Sequence, residues 1–262
     1  MQRPKTLVLG SGTSTGVPLI GCDCPVCKSS DPKDARMRSS IYITCGDYSI
    51  LVDTAPDLRN QALKYNLTRV DALLITHNHA DHVFGMDDIR QFNRLQGAHI
   101  VAYAAGFTLK SLRNMFNYIF ELPENQQCLY RPRIKFAETD FRPVGLGPFV
   151  VTPFIVPHGP EKAVGYRFDC QNRAFVYVPD CSEATSEMMD VMSGTNAIML
   201  DGLRVRPHAC HLTFDDSATV MKKIGAEMSY ITHIGHDFTH SDITKMLPEG
   251  IAPAYDGLEF FW

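Results

Sequence analysis

No stretch of this 262-residue chain is long and apolar enough to cross a membrane, and the N-terminal run "MQRPKTLVLGSG" stops at glycine too early for a secretory signal. Those two absences place the protein in the cytoplasm and exclude a membrane partner. A surplus of positive charge is missing as well. The 25 Lys and Arg stand against 29 Asp and Glu, a formal net charge of −4. A general nucleic-acid binder carries a basic excess, so the balance argues against nucleic acid as the partner. Linkers, repeats and low-complexity segments do not occur, and residues 1–262 read as one domain. A disulfide framework is not expected either. The eight cysteines sit in a long chain without a secretory signal. What is present is an ordinary globular composition, 45% apolar and 21% charged.

Short strand-like runs come first: "TLVLG", "SIYITC" and "YSILVD", bounded by glycine or turn residues. A helix is expected near "APDLRNQALKYN". Next comes "VDALLIT", a run suited to a strand buried on both faces. "GFTLKSLRNMFNYIF" has helical spacing, while residues 105–145 as a whole look least regular and could form a rim over a site or a plain surface excursion. The second half repeats the alternation. "FVVTPFIV", "AVGYRFD", "AFVYV", "NAIMLD" and "MSYITHI" read as strands. "SEATSEMMDVM", with Ser182 as N-cap, and "FDDSATVMKKIGA" read as helices. Two strand clusters with interspersed helices imply an α/β chain with two sheets face to face and helices outside.

The chemistry concentrates in "THNHADH", residues 76–82. Imidazole nitrogen and carboxylate oxygen together suit zinc, manganese or iron. His77, His79, Asp81 and His82 already offer four ligands, and His158, Asp180 and His233 each follow an apolar strand that could deliver them to the same edge. That is more than one tetrahedral ion can use, but it fits two if a carboxylate bridges. Each of the last three, taken alone, is as well explained by structural hydrogen bonding. A second cluster is Cys22, Cys24 and Cys27, the C-x-C-x-x-C of "GCDCPVC". Three thiolates this close suit a structural zinc, with His236 or His240 of "THIGHDFTH" available as the fourth ligand.

His-x-His-x-Asp-His with later His, Asp and His at strand ends resembles the metallo-β-lactamase superfamily. The resemblance implies a four-layer αββα sandwich with a dinuclear site of two divalent metals, zinc or manganese. It implies that His77, His79 and His158 hold one ion, that Asp81, His82 and His233 hold the other, and that Asp180 bridges them. Asp53 would orient ligands, although a turn-initiating role in "DTAPD" explains it nearly as well. "GCDCPVC" with "THIGHDF", the opening "LGSGTSTGVP" and the ending "YDGLEF" resemble a narrower branch, the phosphoribosyl cyclic phosphodiesterases of the carbon–phosphorus lyase pathway. There the cysteines and a histidine at the position of His236 hold a structural zinc. "GMDDIRQFNR" looks more like other relatives of that branch.

"VLGSGTSTG" is not a dinucleotide fingerprint. Pro18 and the cysteines follow where a helix would have to start, and the lysine of a P-loop is missing. A turn packed near the metal edge is the better reading. Two close cations can activate a shared water and offset charge on phosphoryl oxygens. A leaving oxygen then needs a proton, and by resemblance His211 in "RPHACHLTF" supplies it, with His208 as local competitor and Asp81 counted with the catalytic set. Arg90, Arg94, Arg204 and Arg206 are phosphate-holding candidates whose default is solvated surface, and His99 and His240 have no assigned role. The expected activity is a phosphodiesterase acting on a small ribose cyclic phosphate or nucleotide-like diester. An endoribonuclease similar to the tRNA 3′-processing branch, or a lactam or thioester hydrolase, is the alternative. A homodimer is compatible with the sequence.

Overall fold

The computed structural model describes residues 2–120 and 131–262, so Cys128 and Tyr130 lie outside the described residues. The first sheet contains β1 (Lys5–Gly10), β2 (Ser40–Cys45), β3 (Tyr48–Val52), β4 (Ala72–Leu74), β5 (Ile100–Ala105) and β6 (Ile134–Thr139). The second contains β7 (Val144–Leu146), β8 (Phe149–His158), β9 (Glu161–Cys170), β10 (Arg173–Val178), β11 (Ala197–Asp201), β12 (Met228–Thr232) and β13 (Ile251–Pro253). The last strand, β14 (Glu259–Phe261), returns to pair with β1. The spatial orders are β14-β1-β2-β3-β4-β5-β6 and β13-β12-β11-β10-β9-β8-β7.

Period-two alternation explains why so many strands read as unbroken apolar runs. Val8, Ile50, Val52, Ala72 and Leu74 face the space between the sheets, where they meet Tyr166, Phe168, Phe175, Tyr177 and Met199. Their neighbours Leu7, Leu9, Leu51 and Leu73 face the other way and pack on α1 (Leu58–Lys64), α3 (Ile89–Gln96) and α4 (Gly106–Met115). On the second sheet Val176, Val178, Ile198 and Leu200 point outward onto α6 (Ser186–Met192), α7 (Phe214–Ile224) and α8 (His240–Met246). Each central strand therefore buries both faces, giving four layers, αββα. The polar ends of interior aromatics are paired: Tyr166 Oη donates to Ile75 O at 2.7 Å and Trp262 Nε1 to Thr6 Oγ1 at 2.8 Å.

The architecture agrees with the sequence reading, with local differences. "GFTLKSLRNMFNYIF" is α4 followed by a separate turn, α5 (Asn117–Phe120), because Phe116 leaves helical geometry at φ −122° and ψ 41°. Among the described residues of 105–145, α4, α5, β6 and the start of β7 are regular elements, more than the sequence suggested. The N-cap of α6 is Thr185, whose side chain accepts from Met188 N, and not Ser182. Ser182 N instead donates to Pro157 O at 2.9 Å, so the chain is still pinned to the neighbouring strand at that point. α7 is closed at both ends, by a Thr213–Asp216 capping box and by Gly225 at φ 68°. Among the described residues, no helix is long and apolar enough to cross a membrane.

The strands β3 to β6 and β10 to β13 run parallel within each sheet. Their C-terminal ends open on one edge, the usual place for loops that converge on a ligand. The short helix α2 (Ala80–Val83), which carries Asp81 and His82, is tied to that edge by Thr54 N to His82 O at 2.7 Å and Gly85 N to Thr54 O at 2.8 Å. A Cβ on Gly85 would stand 2.0 Å from Ala55 O, so only glycine permits this approach. Gly85→Ala should therefore cost about 1–3 kcal/mol. The check is the urea unfolding midpoint, and an unchanged midpoint would refute the packing argument.

Candidate metal centres

The edge is built from strand ends. Asp53 directly follows β3, His77 is the third residue after β4, Asp180 the second after β10, and His233 directly follows β12. His158 is the last residue of β8, which runs two residues beyond the apolar run "FVVTPFIV". Asp53 and His233 both adopt positive φ, 63° and 58°. A non-glycine residue there costs on the order of 1–2 kcal/mol, which the surroundings must offset. Asp53 is held by its own bonds: its carboxylate accepts from Thr76 N and Thr76 Oγ1, both at 2.8 Å, and lies 2.8 Å from His82 Nδ1. That contact settles the two readings of Asp53. It orients a histidine ring as well as ending a strand.

The predicted ligands meet. His79 Nδ1 and His158 Nε2 face each other at 3.3 Å. Asp81 Oδ2 lies 3.3 Å from His82 Nε2 and 3.4 Å from His233 Nε2. Asp180 stands between the two groups. Its Oδ1 is 3.7 Å from His158 Nε2, 4.0 Å from His77 Nε2 and 3.5 Å from His233 Nε2, while Oδ2 is 3.1 Å from His82 Nε2. Several of these atoms are buried without a hydrogen-bond partner, namely His77 Nε2, His82 Nε2 and Asp180 Oδ2. An orphaned acceptor in a dry site is costly, and a shared cation removes that cost. Ligands about 2.0–2.1 Å from a tetrahedral ion stand roughly 3.3–3.4 Å apart, close to the separations within each group. The residues therefore fit two ions.

The charges are consistent with that fit. Burial would raise Asp180, but His233, His82 and His77 outweigh it and hold the carboxyl well below its usual range. Asp81 is likewise held low, burial being outweighed by His82 and His233. Burial, with the nearby His82, drives His77 well below the ordinary histidine value, and burial lowers His158. His82 goes the other way: burial opposes protonation, yet Asp180, Asp81 and Asp53 raise it well above that value. A divalent cation held by these groups would compete with protonation of His82.

Two contacts here were not read from the sequence. His211 Nδ1 lies 2.8 Å from Asp201 Oδ2, and Asp201 also accepts from Cys181 N at 2.8 Å. Burial pushes Asp201 up and His211 down. The available signal was that "NAIMLD" ends on an aspartate at the edge, as "SILVD" and "VYVPD" do. Glu161, at the β8–β9 turn, lies 3.2 Å from His79 Nε2. His211 itself is at the edge, its ring stacked on His233 at 4.7 Å and edge-on to His158 at 5.0 Å. His208 is exposed and accepts from Cys210 N. Arg204 bonds to carbonyls of its own loop, and Arg206 reaches Asp237.

The second cluster forms separately. Cys22, Cys24 and Cys27 place their sulfurs 3.7, 3.5 and 3.6 Å from His236 Nδ1. A tetrahedral zinc with S at about 2.3 Å and N at about 2.05 Å has S–N edges of roughly 3.6 Å, so this set fits one ion. His240, the other sequence candidate, begins α8 and packs on Tyr255. Bonds from the Cys27 backbone N–H and from His236 bring Cys24 down to about 6, while burial pushes Cys27 up to about 11. The glycine turn after β1 lies between the two clusters, with Ile234 N donating to Ser11 O at 2.9 Å and Thr13 N to Ile234 O at 3.2 Å.

Comparison with known proteins agrees with this fold. A model of the beta-lactamase superfamily domain matches residues 48–234. The chain belongs to the metallo-β-lactamase superfamily. Within it, the chain sides with the PhnP family: a solved diphosphatase of that family is 38% identical, with TM-score 0.90, and the match covers 99% of this chain and 97% of that one. Zinc-bound PqqB from Methylobacterium extorquens shares the fold at 19% identity and TM-score 0.81, covering 98% and 100% of the two chains. An octanoyltransferase of Porphyromonas gingivalis is 33% identical over 97% of this chain, but the chain spans only 51% of its length.

Two outcomes follow for the separate clusters. His79→Ala should release ions from the edge and leave the thiolate cluster loaded, whereas Cys24→Ser should do the reverse. Metal content per chain by elemental analysis decides, and equal losses in both variants would sink the division. In chelator-stripped protein, alkylation of Cys24 should rise with pH through about 6 and then level off, because the thiolate is already formed at neutrality. A rise that continues to pH 9 would show an ordinary thiol.

Proposed function

We propose that the chain is a metal-dependent phosphodiesterase acting on a small ribose cyclic phosphate or nucleotide-like diester. The observation that carries this reading is the pair of ligand groups meeting on one buried carboxylate, Asp180, with the His211–Asp201 pair beside them. His77, His79 and His158 would hold one divalent ion and Asp81, His82 and His233 the other, with Asp180 shared. Cys22, Cys24, Cys27 and His236 would hold a structural zinc. Bound zinc or manganese would supply positive charge for phosphoryl oxygens and acidify a water. Residues 1–262 act in this reading as one cytoplasmic hydrolase domain.

The chain's own groups supply the rest. Asp53 keeps His82 turned with Nε2 toward the shared carboxylate. Glu161 engages His79 Nε2 and so leaves Nδ1 to face His158. His211 keeps Nδ1 on Asp201, which leaves Nε2 as the nitrogen that can deliver a proton to a leaving oxygen. A cavity of about 400 Å³ beside Asn78 is lined by Phe107, Ser111, Pro160, Glu161 and Lys162. Phe107 and Lys162 suit the organic part and the charge of a nucleotide-like substrate. The likeness to a diphosphatase over nearly the whole chain supports phosphorus over carbon chemistry.

The test is a substrate panel with metal-loaded protein: bis-p-nitrophenyl phosphate, ribose cyclic phosphates, precursor tRNA, a β-lactam and an octanoyl thioester. Turnover of the small diesters without the other three supports the reading, and turnover of only tRNA or the thioester overturns it. His211→Ala should cut kcat about 10²–10⁴-fold on an alkyl-leaving diester but much less on bis-p-nitrophenyl phosphate, whose nitrophenolate leaves without a proton. Equal losses on both would remove His211 as the proton donor.

A further inference from the structure

Two thiols lie outside both clusters and face each other. Cys45 ends β2 on the first sheet and Cys170 ends β9 on the second. They sit on the side of the sandwich away from the histidines, because β9 starts where Glu161 pairs with His158 and ends where Cys170 pairs with Arg173. The sulfurs are 3.7 Å apart, with Cys170 Sγ donating to Cys45 Sγ. Gln171 Nε2 also donates to Cys45 Sγ, at 3.5 Å. Both residues are buried, at 7% and 3% exposure. A cavity of about 410 Å³, lined by Cys170, Gln171, Arg167 and Arg173, opens beside the pair at Cys170.

A disulfide needs sulfurs about 2.05 Å apart, so these two must close by roughly 1.7 Å, a movement within reach of side-chain rotation. Neither thiol has any part in the proposed chemistry. We propose that Cys45 and Cys170 form a reversible disulfide between the two sheets when the protein meets a hydroperoxide. Cys45 sulfur attacks the peroxide. An S–O bond forms, the O–O bond breaks, and the thiol proton leaves with the departing oxygen as alcohol or water. Cys170 sulfur then attacks Cys45 sulfur. The S–S bond forms, the S–O bond breaks, and the hydroxide leaves as water with the Cys170 proton. Two thiols lose two electrons and the hydroperoxide gains them. The order of attack follows from the bonding, since Cys170 is the donor of the pair and burial beside Cys45 pushes it up to about 12. The bond would span 125 positions of sequence, the kind of long loop whose closure constrains the unfolded chain most.

The experiment uses the full metal-loaded chain, treated with graded hydrogen peroxide, alkylated, and digested without reductant. The expected result is a Cys45–Cys170 peptide pair lighter by two hydrogens and reversed by dithiothreitol. It should be accompanied by a Tm at least about 5 °C above that of Cys170→Ser treated in the same way. Cys45→Ser and Cys170→Ser should each lose the linked peptide. Recovery of both as alkylated thiols or sulfinic acids, at doses that already oxidise Cys22, Cys24 and Cys27, overturns the proposal. So does a bond from either one to a different cysteine.

Discussion

The edge of this molecule is organised by the cost of burying Asp180. The carboxylate is almost wholly removed from water and lies within 4 Å of the imidazoles of His77, His82, His158 and His233. A lone buried carboxylate would be neutral, since desolvation penalises the charge. Here the surrounding rings keep it anionic, and the arrangement leaves imidazole and carboxylate atoms turned toward one another without hydrogen bonds. Such a set is expensive unless cations occupy it. Metal binding, in the function proposed for the chain, is therefore also what makes the site affordable to fold.

Local strain follows the same logic. Asp53 and His233 hold left-handed backbone conformations immediately beyond β3 and β12, where a relaxed chain would not stop. At Asp53 three short contacts hold the carboxylate in place and turn His82 with it. At His233 the next residue, Ile234, is bonded on both sides to the turn after β1. Two residues further on, His236 belongs to the thiolate cluster. Arg36, almost fully buried, donates to Gly235 O at 2.6 Å and fastens this segment to the loop that carries the cysteines. One short stretch, His233 to His236, thus contributes a side chain to each cluster.

Much of this was legible in the sequence, and the limits have physical causes. The double-sheet architecture could be read because strands buried on both faces are apolar at consecutive positions, as "ILV" at 50–52 and "AIML" at 197–200 are. The close-range motif "THNHADH" could be read because its residues are adjacent in the chain. Asp201 was not read, since an aspartate at a strand end looks the same whether it caps a turn or holds an imidazole. Glu161 was missed for the opposite reason: an exposed glutamate in a hairpin turn is ordinary until His79 is seen beside it. Ser182 was taken for a helix cap by local preference, and a bond to Pro157 O from the neighbouring strand overrode that preference.

By itself the sequence determined the kinds of donor available, the layer pattern and the thiolate spacing, because these depend on composition and on periods of two and 3.6 residues. Only the tertiary structure decided that His158, Asp180 and His233 share one point with the 77–82 segment, that His236 and not His240 completes the thiolate set, and that Asp201 lies against His211. Those meetings join residues from ten to more than two hundred positions apart. They are fixed by sheet register and by which strand ends open on the same edge, which no local pattern encodes.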